Sequence, residues 1–356
     1  MAKKRYGFIT DDMVAQARAR IGTEWIPEEP YYNTVASRDA IRHFVDGIGD
    51  LNPLFRDPSY AAETRNGRVM APPTFLYSVY WPAGRAGVLP AVPGFHSGNE
   101  WRWFLPIVEG DALTFSVRAT DVVERESKKL GRICTTYDEI TYRNQAGAVV
   151  ATAQGWSMAI VGVEPPADEG SLFVDPEEGY TPEELERIYG DYDREAIRGN
   201  VTRFWEDVAV GEELTPVVKG PLAQRDIAAW YAGAGFFYMP AHRPNPRTVE
   251  KAMPRIYDFG SQRDSWLGHL LTNWAGDDGF ICHMRAENHS FNRIGDTTWC
   301  RGKVERKFVS DGECLVEIDC WAENQRGTQT IHGKATIALP SREHGTFPLE
   351  RRLARA

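Results

Sequence analysis

Several common functional signatures are missing from this chain. No apolar run approaches the roughly 18 residues needed to span a bilayer, which excludes a helical membrane span. The first residues, Met1 to Asp12, carry positive charge but no apolar stretch, so they are not read as a secretory leader. Basic excess is also missing: the net charge is −9. That argues against a nucleic-acid partner, because non-specific affinity for phosphate backbones needs a basic surface. A nucleotide-bearing small molecule held by a local Arg or Lys cluster stays compatible with it. There is no Gly-rich phosphate loop followed by Lys-Ser/Thr, and no Gly-x-Ser-x-Gly elbow. Cysteines number five, an odd count without metal spacing, and the eight histidines are scattered. The cysteines are expected to be buried free thiols of a reducing, cytoplasmic compartment, and no metal is expected.

What remains is enough for a substantial core. At 356 residues, with 42% hydrophobic and 12% aromatic residues, the chain is too apolar for disorder and long enough for two ordinary domains. Residues 1–36 read as an N-terminal arm. From Glu100 onward, apolar and polar residues alternate in several segments: 100–104, 113–118, 132–142 and 148–161. The last two are joined by a turn at Asn144-Gln145-Ala146-Gly147. Pro82 to Gly98 reads as a loop. An acidic, Pro-rich linker follows at 164–200, with one helix signalled by the capping box Thr181-Pro182-Glu183-Glu184.

Residues 201–340 then repeat the plan. Arg38-Asp39 matches Arg225-Asp226 at an offset of 187, and Gly110-Asp111 matches Gly295-Asp296 at 185. Asn144 and Gly147 match Asn324 and Gly327 at 180. Such self-similarity marks a duplicated domain. The domains expected are 37–163 and 201–340, with 341–356 a loose tail. Tyr257 to Gly279 should be the long helix of the second copy, with Leu267, Leu270, Leu271 and Trp274 on its apolar face.

The densest stretch runs from Ser37 to Trp81. Ser37 caps a helix whose apolar face is Ile41, Phe44, Val45 and Ile48, and Gly49 stops it. Asp50-Leu51-Asn52-Pro53 makes a polar turn. Asp50 and Asn52 can be read simply as turn-forming residues, or as chemistry. A second, more apolar helix is expected after Pro72 and Pro73. The segment Gly49, Asp50, Asn52, Pro53, Asp57, Pro58, Ala61 resembles the hydration motif of MaoC-like (R)-specific enoyl-CoA hydratases and acyl dehydratases. Duplication and the segment Tyr257-Asp258-Phe259-Gly260-Ser261-Gln262-Arg263-Asp264-Ser265-Trp266 extend the resemblance to the fused double-hotdog members, over roughly residues 30–340.

The resemblance implies an α+β double-hotdog fold, two tandem domains each with a long helix wrapped by an antiparallel sheet. It implies reversible hydration of a 2-enoyl-CoA, with the coenzyme A thioester as substrate and no cofactor. Asp50 would be the acid/base on water and Asn52 its orienter. The family places a histidine where this chain has Phe55, and phenylalanine moves no proton. His96 is the first candidate replacement and His242 the second; a loop histidine is also commonly a packing residue. The family's glycine oxyanion donor at the start of the hotdog helix is replaced by Pro72-Pro73, leaving the N–H of Thr74 or Phe75. The first half would be catalytic. The second, with Phe236, Phe237, Tyr238 and Met239, would accommodate the acyl group or simply pack. Homo-oligomerisation as a dimer of double hotdogs is expected. Two rival functions fit the same fold: an acyl-CoA thioesterase, and a non-catalytic acyl-binding subunit of a hydratase complex.

Overall fold

Strict alternation builds the sheet. In β11 (Glu313–Asn324) every second residue is buried, Cys314, Val316, Ile318, Cys320 and Ala322 forming an inner face and the residues between them an outer one. The computed structural model describes residues 9–26, 32–84, 89, 94–128, 131–160, 179–235, 257–345 and 347–354. Among these, the first half contributes β1 (Glu24–Trp25), β2 (Met70–Ala71), β3 (Gly94–Trp103), β4 (Ile107–Val108), β5 (Thr114–Ser127), β6 (Gly131–Arg143) and β7 (Val149–Ile160). The second contributes β8 (Val217–Lys219), β9 (Phe280–Asn288), β10 (Thr298–Ser310), β11 and β12 (Gln329–Leu339). Ten of them form one antiparallel sheet in the order β1-β5-β6-β7-β3-β9-β12-β11-β10-β8, and β2 pairs with β4 apart from it.

That order is two like halves joined edge to edge. β3 and β9, the inner edge strand of each half, pair with Glu100 opposite Arg285, an ion pair of 3.3 Å. Joining these edges removes two unpaired strand edges at once. Turn chemistry repeats as well. Asn144 Oδ1 accepts from Ala146 N and Ala148 N, as Asn324 Oδ1 accepts from Arg326 N and Thr328 N. Asp111 accepts from Val108 N, and Asp296 from Arg293 N. The fold is a double hotdog.

Among the described residues the helices are α1 (Asp11–Arg18), α2 (Arg38–Ile48), α3 (Pro58–Glu63), α4 (Pro182–Asp193), α5 (Gln224–Ala234), α6 (Gly260–Ala275) and α7 (Pro348–Leu353). Thr181 caps α4 in a capping box with Glu184. α2 and α5 cross in a reciprocal contact. A Cβ added to Gly47 would sit 2.9 Å from Ala229 O, and one on Gly233 would sit 2.4 Å from His43 O. The pairs 43/229 and 47/233 share one offset, so the same patch is used twice about a pseudo-twofold axis. α6 is buried on all sides, inside the second half of the sheet.

Two expected elements differ. After Pro72 and Pro73 there is only a short 3₁₀ turn, Pro73–Ser78, and no long helix. Pro82, four residues after Ser78, limits how far any helix starting at Pro73 could run. His96 lies in β3, not in a loop. Gly98 looked like loop glycine, but a Cβ there would meet the Trp156 ring at 2.4 Å and Ala286 O at 2.5 Å. It serves close packing within a strand.

Candidate active site

α2 ends as its sequence demands. Gly49 adopts φ 64°, ψ 42°, left-handed backbone that glycine takes without strain. The chain then folds on its own side chains. Asn52 N donates to Asp50 Oδ1 at 2.9 Å, Leu54 N to Asn52 Oδ1 at 3.0 Å, and Ser59 N to Asp57 Oδ1 at 2.8 Å. Arg56 holds the turn from outside, through Asp46 at 2.7 Å and the Asp50 carbonyl at 3.2 Å. Asp50 and Asn52 therefore do shape the turn. Asp50 does so with one oxygen only. The residue is fully buried, and its Oδ2 meets no hydrogen-bond donor.

Around Asp50 stands a buried polar cluster drawn mostly from the second half. His269, in the middle of α6, is 1% exposed. Its Nε2 lies 3.4 Å from Asp50 Oδ1 and 3.0 Å from Glu195 Oε1, without a well-aligned hydrogen bond to either. Its Nδ1 is 2.8 Å from Lys219 Nζ. Lys219, at the end of β8, also donates to Ile48 O at 2.8 Å and Gly49 O at 3.0 Å. An ammonium at these carbonyls complements the negative C-terminus of α2. Burial lowers the Lys219 pKa, against the pull of Glu195 and Asp50. Burial pushes Glu195 upward, but the His269 contact, Lys219 and an Asn273 hydrogen bond of 3.1 Å leave it below its ordinary value.

A narrow cavity of about 50 Å³ opens beside this cluster, between the halves. Asn52, Phe55, Ala71 and Pro73 line it from the first half; Thr272, Gly276 and Phe280 line it from the second. It has room for a few waters. Phe55, 4% exposed, is part of its apolar wall.

The other sequence candidates fall elsewhere. His96 packs edge-on against Trp81 at 5.0 Å and beside Gly260, where an added Cβ would lie 2.4 Å from its Nδ1. Gly260 begins α6, nine residues before His269, which is about 13 Å of helix rise. His96 is thus at the far end of α6 from Asp50 and does not pair with it. Thr74 is buried, with its methyl facing Gly268. Of the two donors considered, Phe75 N–H is already given to Pro72 O at 2.9 Å. Phe236, Phe237, Tyr238, Met239 and His242 lie outside the described residues. His269 was one of the scattered histidines in the sequence. Its only local signal was an unusual place, a histidine between Leu267 and Leu270 on an apolar helix.

The segment Asp258 to Trp266 builds the start of α6. Asp258 and Arg263 form a fully buried ion pair of 3.1 Å, and Asn292 Nδ2 donates to Asp258 at 2.7 Å. Asp264 accepts from Tyr77 Oη at 2.6 Å across the halves. Desolvation pushes Asp264 up to about 7, against Tyr77 and Arg263.

Comparison with known proteins gives the kinship. Residues 19–153 match the model of the FAS1-like dehydratase domain region. A UPF0336 protein of Thermobifida fusca is 35% identical over 111 residues, covering 30% of this chain and 71% of that protein. The chain belongs to the MaoC-like dehydratase family. Another relative, of Thermomonospora curvata, is named as a probable enoyl-CoA hydratase alpha subunit. It is 30% identical over 140 residues, 33% of this chain and 42% of its own length. Among solved structures, a MaoC-like dehydratase superposes with TM-score 0.66 at 19% identity, covering 91% of this chain and 99% of that one. A Mycobacterium tuberculosis protein described as a double hotdog superposes with TM-score 0.56 at 11% identity, covering 90% and 96%. These likenesses match the fold of this MaoC-like chain. Among its described residues no helix is long and apolar enough to cross a membrane.

Proposed function

We propose that this chain catalyses the reversible addition of water to a 2-enoyl thioester of coenzyme A, with Asp50 as the acid/base. The observation that carries the reading is the state of that carboxylate. One oxygen is held by its own turn, the other is unclaimed, and Asn52 of the same turn lines the cavity. A base that is buried, oriented and short of one donor is poised to take a proton from water. Membership of a dehydratase family supports the reaction class, and the hydratase name of the Thermomonospora curvata relative supports the substrate class.

In the forward direction Asp50 accepts a proton from water as its oxygen adds to C3 of the enoyl group. Charge moves to the thioester oxygen, where a backbone donor is needed. Thr74 N–H is the donor assigned here, next to Pro73 in the cavity wall. Asp50 then returns the proton to C2, and one water has been added. The acyl chain needs more space than about 50 Å³, so substrate binding widens the cavity at its apolar side, Phe55 included.

The test is a panel of 2-enoyl-CoA substrates with the purified chain. Hydration removes the conjugated thioester absorbance without freeing thiol. Asp50→Asn is expected to lower turnover by about 100-fold or more, the range of a lost general base. Thiol release instead would make the protein a thioesterase, and an unchanged Asp50→Asn rate would remove Asp50 as the base. No turnover by the folded chain alone would favour a binding subunit.

A further inference from the structure

Phe55 leaves the family's turn without a histidine. We propose that His269, from the other half of the molecule, is the positioning residue of Asp50. The inference rests on Asp50 being the base. It requires that the first half cannot act without α6 of the second.

The argument begins with Lys219. Its ammonium has three N–H groups and three acceptors within 3.0 Å: Ile48 O, Gly49 O and His269 Nδ1. A donor at Nδ1 makes that nitrogen the acceptor, so the ring proton is on Nε2. Nε2 is the nitrogen that faces Asp50 and Glu195. The ring thus presents an N–H to the space between two carboxylates that would otherwise repel each other. Every charged neighbour acts on this geometry. Asp50 comes from the turn after α2, Glu195 from the segment after α4, and Lys219 from β8. Cys300 on β10 is a fully buried thiol pushed up to about 12 by burial, so it stays neutral. Asn273, one turn along α6 from His269, fixes Glu195 at 3.1 Å.

His269 is assigned no contact with substrate: its Nε2 faces the two carboxylates, and it acts through Asp50. Its proton is not consumed. Water gives one proton to Asp50 and Asp50 gives one to C2, so the balance closes without a proton from the ring. What it supplies is an N–H beside Asp50 that aims the carboxylate while the cycle turns, the task a third group performs for a catalytic base elsewhere. Glu195 and Lys219 set its tautomer and tilt from either side, as outer partners do for a functional histidine.

The test pairs kinetics with a readout of the ring itself. In His269→Phe the donor is gone and the two carboxylates face each other. The acid limb of kcat/KM should move up by about one pH unit or more, with kcat reduced at least about tenfold and KM nearly unchanged. His269→Gln, which keeps an N–H near the Nε2 position, should restore much of both. An unmoved acid limb in His269→Phe, with Asp50→Asn inactive, overturns the inference and leaves the base assignment standing. An active Asp50→Asn overturns the base assignment instead. Nitrogen-15 NMR of the histidines gives an answer even if His269→Phe does not fold. The wild-type His269 ring should show a protonated Nε2 and a bare Nδ1, with Nε2 shifting in Asp50→Asn. A proton on Nδ1, or no response to Asp50→Asn, refutes the proposal.

Discussion

At the scale of single residues, burial without enough partners is the recurring theme. Asp264 shows it most simply. It is fully buried on α6, Tyr77 donates to Oδ2, and Oδ1 meets nothing. Its pKa of about 7 stands well above the unfolded value near 3.9. The sign follows from linkage. Below about pH 4 both states hold the proton and the site contributes no pH dependence. Between about 4 and 7 the folded state keeps a proton the unfolded chain has lost, so this residue's contribution falls as pH rises. Above 7 the full cost of a buried carboxylate is present. Asp264→Asn keeps an acceptor for Tyr77 and removes the charge. Its stability relative to wild type should therefore rise from pH 4 to 7.5 and then level off, by on the order of 1–4 kcal/mol. Urea titrations of both proteins across that range check it; a flat difference would mean that Asp264 stays ionised at low pH or is solvated.

The same scale explains what the sequence disclosed. Asp50, Asn52 and Asp57 were legible because each uses its side chain on backbone two residues away, a strictly local act. Gly49 was legible as a helix stop for the same reason. His269, Glu195 and Lys219 were not, because nothing near them in the chain records that they meet Asp50. Lys219 reads as an ordinary lysine at the end of a Val-Val strand, and only the tertiary fold brings it to Ile48 O. His96 misled because Gly94 and Gly98 look like loop residues, whereas Gly98 is required by the Trp156 ring above it.

At the scale of elements, the crossing of α2 and α5 decides how the two halves sit. Glycine on each helix lets the other's backbone approach, and backbone cannot swing away as a side chain can. Gly47→Ala and Gly233→Ala should each destabilise the protein by about 1–3 kcal/mol, the usual cost of overpacking. Gly233→Ala should be the worse of the two, since its Cβ would lie 2.4 Å from a carbonyl oxygen against 2.9 Å for Gly47→Ala. Because both act on one crossing, the double variant should lose less than the sum. Chemical denaturation of the three variants measures all of this, and full additivity would show that the two contacts yield independently. The repeat itself was visible in the sequence through loop residues such as Asp111 and Asp296, whose roles are local. The short 3₁₀ turn at Pro73–Ser78 was not expected, because apolar residues after two prolines suit a buried helix and a buried turn equally. Its shortness matters for the site: among the described residues the first half has no counterpart of α6, and Gly268 of α6 packs on Thr74 beside the turn.

At the scale of the whole molecule, duplication has not produced two independent units. One apolar core runs from Ala36 to Leu349 and includes Phe44, Phe75, Trp230, Leu267 and Ile318. The sheet is continuous through β3 and β9, and at that junction Glu100 meets Arg285 and His283, the latter at 3.0 Å. Those ion pairs are partly exposed and add little on their own. The shared core and the paired edges are what join the halves, since separating them would open two strand edges and bare the α2–α5 crossing. Thermal unfolding should therefore be one cooperative event, although chains of this length often unfold in stages. In calorimetry, wild type is expected to show a single peak with matching calorimetric and van't Hoff enthalpies, and Gly233→Ala a single peak at lower temperature. Two resolved peaks would mean that one half holds its structure without the other. In that case a base on the first half and a histidine on the second would be separable, and the coupling drawn here between Asp50 and His269 would have to survive partial unfolding to matter.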